Sequence, residues 1–316
     1  MHNAFRKAPT RTTVDSDDVL EMNMKRTHGY KVVDVFTRRP LLGNPVAVVL
    51  DVQDLKTDQM QAIANWTNLS ETTFVLPPTV AGADYRLRIF TPRSELPFAG
   101  HPTLGSAHAV LESGFVTARQ EGRLIQECGM GLVEVTVEER SDGRQLAFSL
   151  PTATINSLTA EDTEVLETIL GCKLDAGTAP GVVNVGPIWV VARLRDAAAV
   201  LGLHPDLARL AEFERRLGVT GLTVFGAHQH GDADIEVRTF APSCGVNEDP
   251  VCGSGNGSVA AFQWARGLLP PAGSSYQATQ GRLVGRDGRV EVHISADGQV
   301  RVGGACITCL EGSLSL

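Results

Sequence analysis

An internal repeat is the feature that most constrains how this chain can fold. The segment Ala83–Pro92, read as ADYRLRIFTP, recurs 150 residues later as ADIEVRTFAP, Ala233–Pro242. Downstream, Pro97–Gly100 (PFAG) corresponds to Pro250–Gly253 (PVCG), with three residues inserted in the second copy. Each copy predicts a strand, a turn after Phe-x-Pro, a loop, a glycine and a helix. Two such copies are expected to form two similar lobes that face each other.

The chemically reactive residues are not duplicated between the copies. Glu71 corresponds to Gly221, and Cys252 corresponds to Ala99. A site between the two predicted lobes would therefore be asymmetric, with different chemistry on its two sides.

A glycine-rich segment, Asp249–Gly257 (DPVCGSGNG), leads into an apolar run that predicts a helix over 258–268. Glycines let backbone N–H groups approach a small anion, and the positive end of the following helix dipole favours negative charge. The segment predicts a carboxylate or phosphate site. The alternative is a glycine turn that packs the helix onto a strand. A dinucleotide site is disfavoured, because no acidic residue ends a strand about 20 positions later.

Two further candidates lie near the ends of predicted elements in the first copy. Glu71 stands at the start of a strand rich in β-branched and aromatic residues, where it is either a structural residue, solvated at the edge or acting as a cap, or an acid–base group. His101 precedes a helix predicted over 103–111. A cationic histidine is disfavoured at a helix N-terminus, so the neutral ring is expected there.

Composition bounds the classes of partner and location. The chain has 316 residues and a formal net charge of −8, which argues against nucleic acid or an anionic membrane as a partner. Residues 1–28 lack the apolar core of a signal peptide and are predicted to be a flexible extension, so a cytoplasmic protein is expected. The predicted lobes cover 29–150 and 151–302, with 303–316 as a candidate return to the first lobe.

The cysteine and histidine patterns do not predict a metal site. The six cysteines are scattered, unlike a secreted disulfide framework. Cys306 and Cys309 are separated by an odd number of positions in a predicted strand, which would place them on opposite faces. The His-rich segment 228–234 is expected to be a hairpin loop between two strands.

Several motifs together resemble the PhzF family of phenazine-biosynthesis isomerases, from about Tyr30 to the C-terminus. The matching motifs, in chain order, are Gly43–Pro45 (GNP), Asn68–Val75 (NLSETTFV), Phe90–Pro92 (FTP), Glu95–Thr103 (ELPFAGHPT), Glu248–Pro250 (EDP) and Gly253–Ser254 (GS). The resemblance implies an α+β, diaminopimelate-epimerase-like fold, in which two pseudo-symmetric lobes each curl a mixed sheet round a central helix.

The resemblance also implies a function. Its members are cofactor-free, metal-free isomerases, commonly homodimers, and the founding activity moves a proton on trans-2,3-dihydro-3-hydroxyanthranilate. By position, Glu71 resembles the general acid/base, and His101, Asp249 and Ser254 resemble its catalytic partners. The small carboxylate substrate would contact residues at the two helix starts: Gly100, Cys252, Gly253, Gly255, Asn256 and Gly257.

Cys252 departs from the family pattern, which commonly has threonine at this position. The Cys-Gly-Ser-Gly sequence resembles a catalytic motif of diaminopimelate epimerase and proline racemase. Those enzymes place two thiols on opposite faces of one carbon, and the position that opposes Cys252 here is Ala99. A two-thiol racemase is therefore excluded. An amino-acid epimerase that uses Cys252 opposite Glu71 or His101 and a non-catalytic metabolite-binding protein remain as alternatives.

Overall fold

The computed structural model describes residues 27–316, so that almost all of the predicted N-terminal extension, 1–28, lies outside the described residues. Helices are interspersed among the strands along the chain. The strands are β1 Thr27–Val35, β2 Asn44–Leu50, β3 Thr72–Leu76, β4 Tyr85–Phe90, β5 Glu95–Leu96, β6 Arg123–Cys128, β7 Gly131–Arg140, β8 Gly143–Ser149, β9 Thr154–Ser157, β10 Gly181–Asn184, β11 Ile188–Arg193, β12 Gly221–Ala227, β13 Ile235–Ala241, β14 Val246–Asp249, β15 Ser274–Gln280, β16 Gly288–Ile294 and β17 Val300–Ser315.

The helices number six in the described range, with two additional 3₁₀ turns at Pro242–Cys244 and Arg282–Val284. They are α1 Thr57–Thr67, α2 Gly100–Glu112, α3 Ala160–Leu170, α4 Ala197–Leu201, α5 Leu207–Leu217 and α6 Gly253–Ala265. Within residues 27–316, no helix combines the length and the apolar character needed to span a bilayer.

The strand pairings repeat in the two halves of the chain. In the N-terminal half the pairs run β1–β2 antiparallel, β2–β3 parallel, β3–β4 antiparallel, β4–β6 parallel and β6–β7–β8 antiparallel. In the C-terminal half the same alternation runs through β10, β11, β12, β13, β15, β16 and β17. The predicted α+β architecture with a mixed sheet is confirmed, and the repeat seen in the sequence recurs in the pairing order.

The long last strand joins the two halves. Its first residues pair with β16 and β8, and its later residues pair with β1. The segment 303–316 therefore lies against the first strand of the chain.

Two buried helices, α2 and α6, are the elements that position the candidate site. Helix α2 packs on β1, β2, β8 and β17, and α6 packs on β10, β11, β12, β16 and β17. Three shorter helices, α3, α4 and α5, cover β11 and β12 with a second apolar cluster that includes Leu166, Leu210 and Phe213.

Both site helices begin earlier than the sequence predicted. The predictions placed them at 103–111 and 258–268, whereas α2 starts at Gly100 and α6 at Gly253. Glycines are required in the first turns of α6 because the residues packed against the helix leave no room for larger side chains. A Cβ on Gly257 would lie 1.9 Å from Leu150 Cδ1. Glycine is a poor helix former in isolation, so local propensity misplaced this helix start.

Candidate active site

Glu71 immediately precedes β3 and turns its carboxylate inward, with 16% of its side chain exposed. Glu71 Oε2 lies 3.4 Å from His101 Nε2. Neither atom has a hydrogen-bond partner among the described residues. Burial raises the pKa of Glu71, and the Ser70 hydroxyl partly opposes this shift. Of the two interpretations of Glu71, the structure excludes a freely solvated edge residue.

His101 is the second residue of α2, and it is buried. Burial lowers the pKa of His101 to about 4, while Asp249 and the Pro45 carbonyl favour the charged ring. The ring is therefore neutral at neutral pH, as the sequence predicted. The main cause of the lowered pKa is loss of solvent on burial.

Asp249 is the last residue of β14 and comes from the other half of the chain. Its Oδ1 accepts hydrogen bonds from Asn44 Nδ2 at 3.0 Å and from the Val251 N–H at 3.1 Å. Burial raises the pKa of Asp249 to about 6, the neighbouring Glu71 carboxylate adds to the shift, and His101 opposes it. Glu71, His101 and Asp249 therefore form one electrostatically linked cluster.

Asn44, the first residue of β2, connects this cluster across the two halves of the chain. Its Nδ2 donates to Asp249 Oδ1 and to the Val251 carbonyl, both at 3.0 Å, and lies 3.5 Å from His101 Nδ1. Sequence reasoning did not assign Asn44 to the site. The signal was present in the Gly-Asn-Pro motif, where a buried amide needs partners that only the distant segment supplies.

Cys252 occupies the cap position at the start of α6. Its Sγ accepts the N–H of Gly255 at 3.3 Å and lies 3.6 Å from Ser254 Oγ. Burial raises the pKa of this thiol well above its ordinary value, and the nearby Asp249 carboxylate raises it further. The thiol stays protonated at neutral pH, which makes it a poor proton acceptor.

Ser254 follows the cap and is held by a residue outside the motif. Its Oγ accepts a hydrogen bond from Trp189 Nε1 at 3.1 Å. This indole N–H occupies a lone pair of the hydroxyl, whose own proton can be donated to Cys252 Sγ or to a bound substrate. The role of Trp189 was not predicted, because it depends on the approach of β11 to α6.

The remaining motif residues are engaged in packing and internal hydrogen bonds. A Cβ on Gly255 would lie 2.8 Å from Thr239 Oγ1, and one on Gly100 would lie 2.6 Å from Phe148 Cζ. Asn256 is fully buried, and its Nδ2 donates to the Cys252 carbonyl and to Gln280 Oε1. The substrate contacts predicted for Gly100, Gly255, Asn256 and Gly257 stay predictions; the contacts observed for all four are those of helix packing.

Gln280 is a second residue that sequence reasoning missed. It is 1% exposed, its Nε2 donates to the Asp249 carbonyl at 2.9 Å, and its Oε1 accepts the Cys252 N–H at 3.1 Å. One buried amide thereby holds both ends of the segment that carries Asp249 and the start of α6.

The starts of the two helices face each other. A Cβ on Gly253 would lie 3.9 Å from the His101 backbone nitrogen. In the described part of the chain, the N–H groups of Gly100, His101, Gly253 and Ser254 have no hydrogen-bond acceptor. Free N–H groups and the positive ends of two helix dipoles therefore converge beside Glu71 and Asp249, an arrangement that attracts an anion.

Two cavities lie elsewhere on the molecule, and neither is lined by Glu71, His101 or Asp249. One of about 220 Å³ lies over β7, β8, β16 and β17, and one of about 560 Å³ lies between α5 and β14. Among residues 27–316, no group of three or more His, Cys, Asp or Glu side chains is arranged to hold a metal ion.

Comparison with known proteins places this geometry in context. The sequence model of the family described as phenazine biosynthesis-like protein, PhzC-PhzF, matches residues 33–312. The chain is 41% identical over 293 residues to antisense-enhancing sequence 1 of Schizosaccharomyces pombe, covering 90% of this chain and 98% of that protein. It is 40% identical over 277 residues to the trans-2,3-dihydro-3-hydroxyanthranilate isomerase of Pseudomonas aeruginosa, covering 86% of this chain and 92% of that enzyme.

A solved structure supports the same fold. The crystal structure of a PhzF-family phenazine biosynthesis protein from Bacillus anthracis superposes with a TM-score of 0.82 at 22% identity. The match covers 92% of this chain and 100% of that chain. At this identity the likeness shows the fold.

Proposed function

This chain belongs to the phenazine biosynthesis-like PhzC-PhzF family and is an isomerase, and on that premise we propose that it moves a proton between two carbon atoms of a small carboxylic acid. The observation that carries the proposal is the buried pair Glu71 Oε2 and His101 Nε2, 3.4 Å apart and without other hydrogen-bond partners among the described residues. A buried polar atom without a hydrogen-bond partner needs an explanation, and a catalytic role is one such explanation. Here two of these atoms, an acid oxygen and an imidazole nitrogen, face each other.

In the proposed reaction Glu71 is the general acid/base. Its carboxylate takes a proton from one carbon, and the resulting carboxylic acid returns the proton to another carbon of the same conjugated molecule. No electrons are gained or lost overall, so the reaction needs no oxidant, and we propose that it needs no cofactor. A carboxyl group with a pKa raised by burial is suited to both steps near neutral pH.

His101 and Asp249 are proposed to assist by holding polar groups of the substrate. Neutral His101 can donate or accept a proton, and its ring lies against Glu71. Asp249 is fixed by Asn44 and presents a carboxyl group whose pKa of about 6 lies close to neutrality. Asp249 can therefore exchange a proton with a substrate heteroatom at little energetic cost, while neutral His101 is suited to hydrogen bonding.

The substrate carboxylate is proposed to bind between the starts of α2 and α6. The amides of Gly253 and Ser254, the Ser254 hydroxyl and the amides of Gly100 and His101 supply donors there. This assigns the carboxylate to the first residues of each helix instead of to Gly255 and Gly257. The two halves of the chain would then act as two lobes, each curled round its helix, with the site between them.

The substrate class follows from the named Pseudomonas aeruginosa relative and from the site. We propose a dihydroaromatic acid of the trans-2,3-dihydro-3-hydroxyanthranilate type and a homodimeric enzyme. An epimerase that uses Cys252 is a weaker proposal, because that thiol caps α6 and has a raised pKa.

The proposal is tested by proton exchange in deuterium oxide. With trans-2,3-dihydro-3-hydroxyanthranilate as substrate, NMR should detect product carrying deuterium at one carbon. Replacing Glu71 with Gln should lower turnover by about a hundredfold or more, since general acid–base groups contribute this much. The control is Glu161→Gln on the exposed start of α3, which should leave turnover unchanged. Undiminished exchange in Glu71→Gln would remove Glu71 as the base, and binding without exchange in the parent would favour the metabolite-binding alternative.

A further inference from the structure

A buried ion pair lies directly behind the catalytic cluster. Arg238 on β13 binds Glu248 on β14 through two parallel hydrogen bonds, Nε to Oε1 at 3.0 Å and Nη2 to Oε2 at 2.8 Å. The Arg238 and Glu248 side chains are 6% and 11% exposed. The other guanidinium nitrogen donates to the Val200 and Leu203 carbonyls, and the Arg238 guanidinium lies over the Phe240 ring at 4.8 Å.

The first copy of the repeat contains an equivalent ion pair, although its third guanidinium nitrogen donates to Thr57 and Met60 instead of to backbone carbonyls. Arg88 on β4 binds Glu95 on β5 through two hydrogen bonds of 2.7 Å, and the Arg88 guanidinium lies over the Phe90 ring at 5.2 Å. This pair is more exposed, at 18% for Arg88 and 40% for Glu95. In each copy, therefore, an arginine, a phenylalanine two positions later and a glutamate after the turn form one unit, which we call the Arg–Glu clasp.

The two clasps are equivalent positions of the repeat. Arg88 and Arg238 are 150 residues apart, and Glu95 and Glu248 are 153 apart, which matches the three residues inserted between strand and helix in the second copy. The residue after each glutamate differs. It is Leu96 in the first copy and Asp249 in the second.

The second clasp fixes the strand that carries Asp249. β14 pairs with β13 irregularly, through Thr239–Asp249 and Ala241–Val246 only. Because neighbouring side chains of a strand point to opposite faces, anchoring Glu248 behind β14 turns the Asp249 carboxylate toward the cluster. A bidentate arginine–carboxylate contact constrains both distance and orientation.

We propose that the Arg238–Glu248 clasp is a positioning pair that holds the Asp249 carboxylate against Asn44 in the orientation catalysis requires. The inference rests on the proposed function in so far as Asp249 acts in the reaction. The equivalent pair, Arg88–Glu95, closes the same turn in the first copy, where Leu96 instead of an acid follows the glutamate. The Arg88–Glu95 clasp is therefore expected to stabilise structure alone, and it provides a control within the same chain.

The test uses one readout that is independent of turnover. The parent and the double variant Arg238→Met with Glu248→Met are titrated by carboxyl ¹³C NMR. Replacing both partners avoids an unpaired buried charge, and the cost that remains is the loss of the Arg238 donor to the Val200 and Leu203 carbonyls. Asp249 faces Glu71, His101 and Cys252, which are unchanged. Release of β14 should let water reach Asp249 and lower its pKa by about one unit from its parent value of about 6.

Turnover provides the second readout. In the double variant kcat should fall by about ten- to a hundredfold with KM changed far less, because misplacing a reacting group costs this much. The matched control, Arg88→Met with Glu95→Met, should leave both the Asp249 titration and the pH–rate profile as in the parent. Should the first double variant not fold, Glu248→Gln against Glu95→Gln carries the same comparison.

The outcomes separate this inference from the proposed function. The positioning role of Arg238–Glu248 would be overturned if a folded double variant kept both the parental Asp249 pKa and the parental kcat. It would also be overturned if breaking the two clasps had equal effects. If the double variant shifts the Asp249 titration but turnover does not depend on Glu71, the positioning role stands and the proposed reaction is rejected.

Discussion

At the scale of single residues, the cluster is composed of groups that burial shifts toward their uncharged forms. The pKa values of Glu71 and Asp249 are raised and that of His101 is lowered, each mainly by loss of solvent. A charged group in such a place costs free energy. For the two carboxyl groups this shift moves the pKa toward neutral pH, where they can exchange protons, whereas it keeps the His101 ring neutral.

The thiol of Cys252 is expected to be dispensable. Cys252→Thr should keep turnover within about threefold of the parent, because a threonine hydroxyl can accept the Gly255 N–H that the sulfur accepts now. Cys252→Ala should lower the free energy of unfolding by about 1 kcal/mol through loss of the cap. Thermal unfolding and deuterium exchange measure the two effects. Loss of exchange in the threonine variant would instead make the thiol a catalytic base.

Asp249 is expected to lower the stability of the folded protein at neutral pH. Its pKa is raised from 3.8 to about 6, so the folded state binds a proton that the unfolded chain has released. Unfolding free energy therefore falls as pH rises from 3.8 to about 6 and stays lower above that range. Asp249→Asn should be more stable than the parent at pH 8 by roughly 2 kcal/mol and should lose this advantage below pH 4.

The substitution is well matched in shape. Both hydrogen bonds to the carboxylate end on Oδ1, which an asparagine oxygen can replace. Urea unfolding at several pH values measures the difference. An advantage for Asp249→Asn that does not vary with pH would show that the carboxyl group is not the cause.

At the scale of elements, the site depends on two helices that each begin at a glycine, Gly100 in α2 and Gly253 in α6. The glycines of α6 divide into two kinds by what surrounds them. A Cβ on Gly253 would lie 3.3 Å from Phe36 Cζ and 3.9 Å from the first turn of α2, whereas a Cβ on Gly257 would meet Leu150 and Val302 in the core. The first belongs to the proposed carboxylate site and the second to helix packing.

This division predicts opposite consequences for two similar substitutions. Gly257→Ala should lower the free energy of unfolding by about 1 to 3 kcal/mol through overpacking and affect KM little. Gly253→Ala should fold nearly as well as the parent and raise KM by about tenfold, since its methyl group would stand 3.9 Å from the His101 nitrogen, between the two sets of amides. Calorimetry and steady-state kinetics check the pair. A Gly253→Ala enzyme with parental KM would remove the carboxylate from the position proposed for it.

At the scale of the whole molecule, the candidate site is assembled from segments far apart in the chain. Asn44 and Asp249 are 205 residues apart and are joined by one 3.0 Å hydrogen bond. Gln280 then ties Asp249 to the start of α6. The relative placement of Glu71 and Asp249 therefore depends on how the two halves of the chain pack.

Asn44→Ala is expected to weaken this connection. It leaves the Asp249 carboxylate and the Val251 carbonyl without their shared donor, which should cost about 2 to 3 kcal/mol of unfolding free energy. Turnover should fall more than tenfold, because Asp249 is no longer held. The control is Asn65→Ala, which removes an exposed amide that donates to the Pro92 carbonyl. Equal turnover in the two variants would contradict a role for Asn44 in the site.

Much of the architecture was predictable because it depends on local pattern. Duplicated strand motifs read from residues 83–92 and 233–242 correspond to β4 and β13, which occupy equivalent places in the two pairing orders. The hairpin loop 228–234 was predicted correctly, because polar turn residues separate two apolar runs. The starts of α2 and α6 were not, because glycine disfavours helix until tertiary packing requires it.

By itself, the sequence determined the repeat, the candidate residues for the chemistry and the absence of a second thiol at the position that corresponds to Cys252. These follow from residue identity and spacing. Only the tertiary structure decided that Glu71 is buried against His101, that Cys252 caps a helix, and that Asn44 meets Asp249. The physical reason is that burial and hydrogen bonding depend on which distant segments pack together, and these set the pKa of each group.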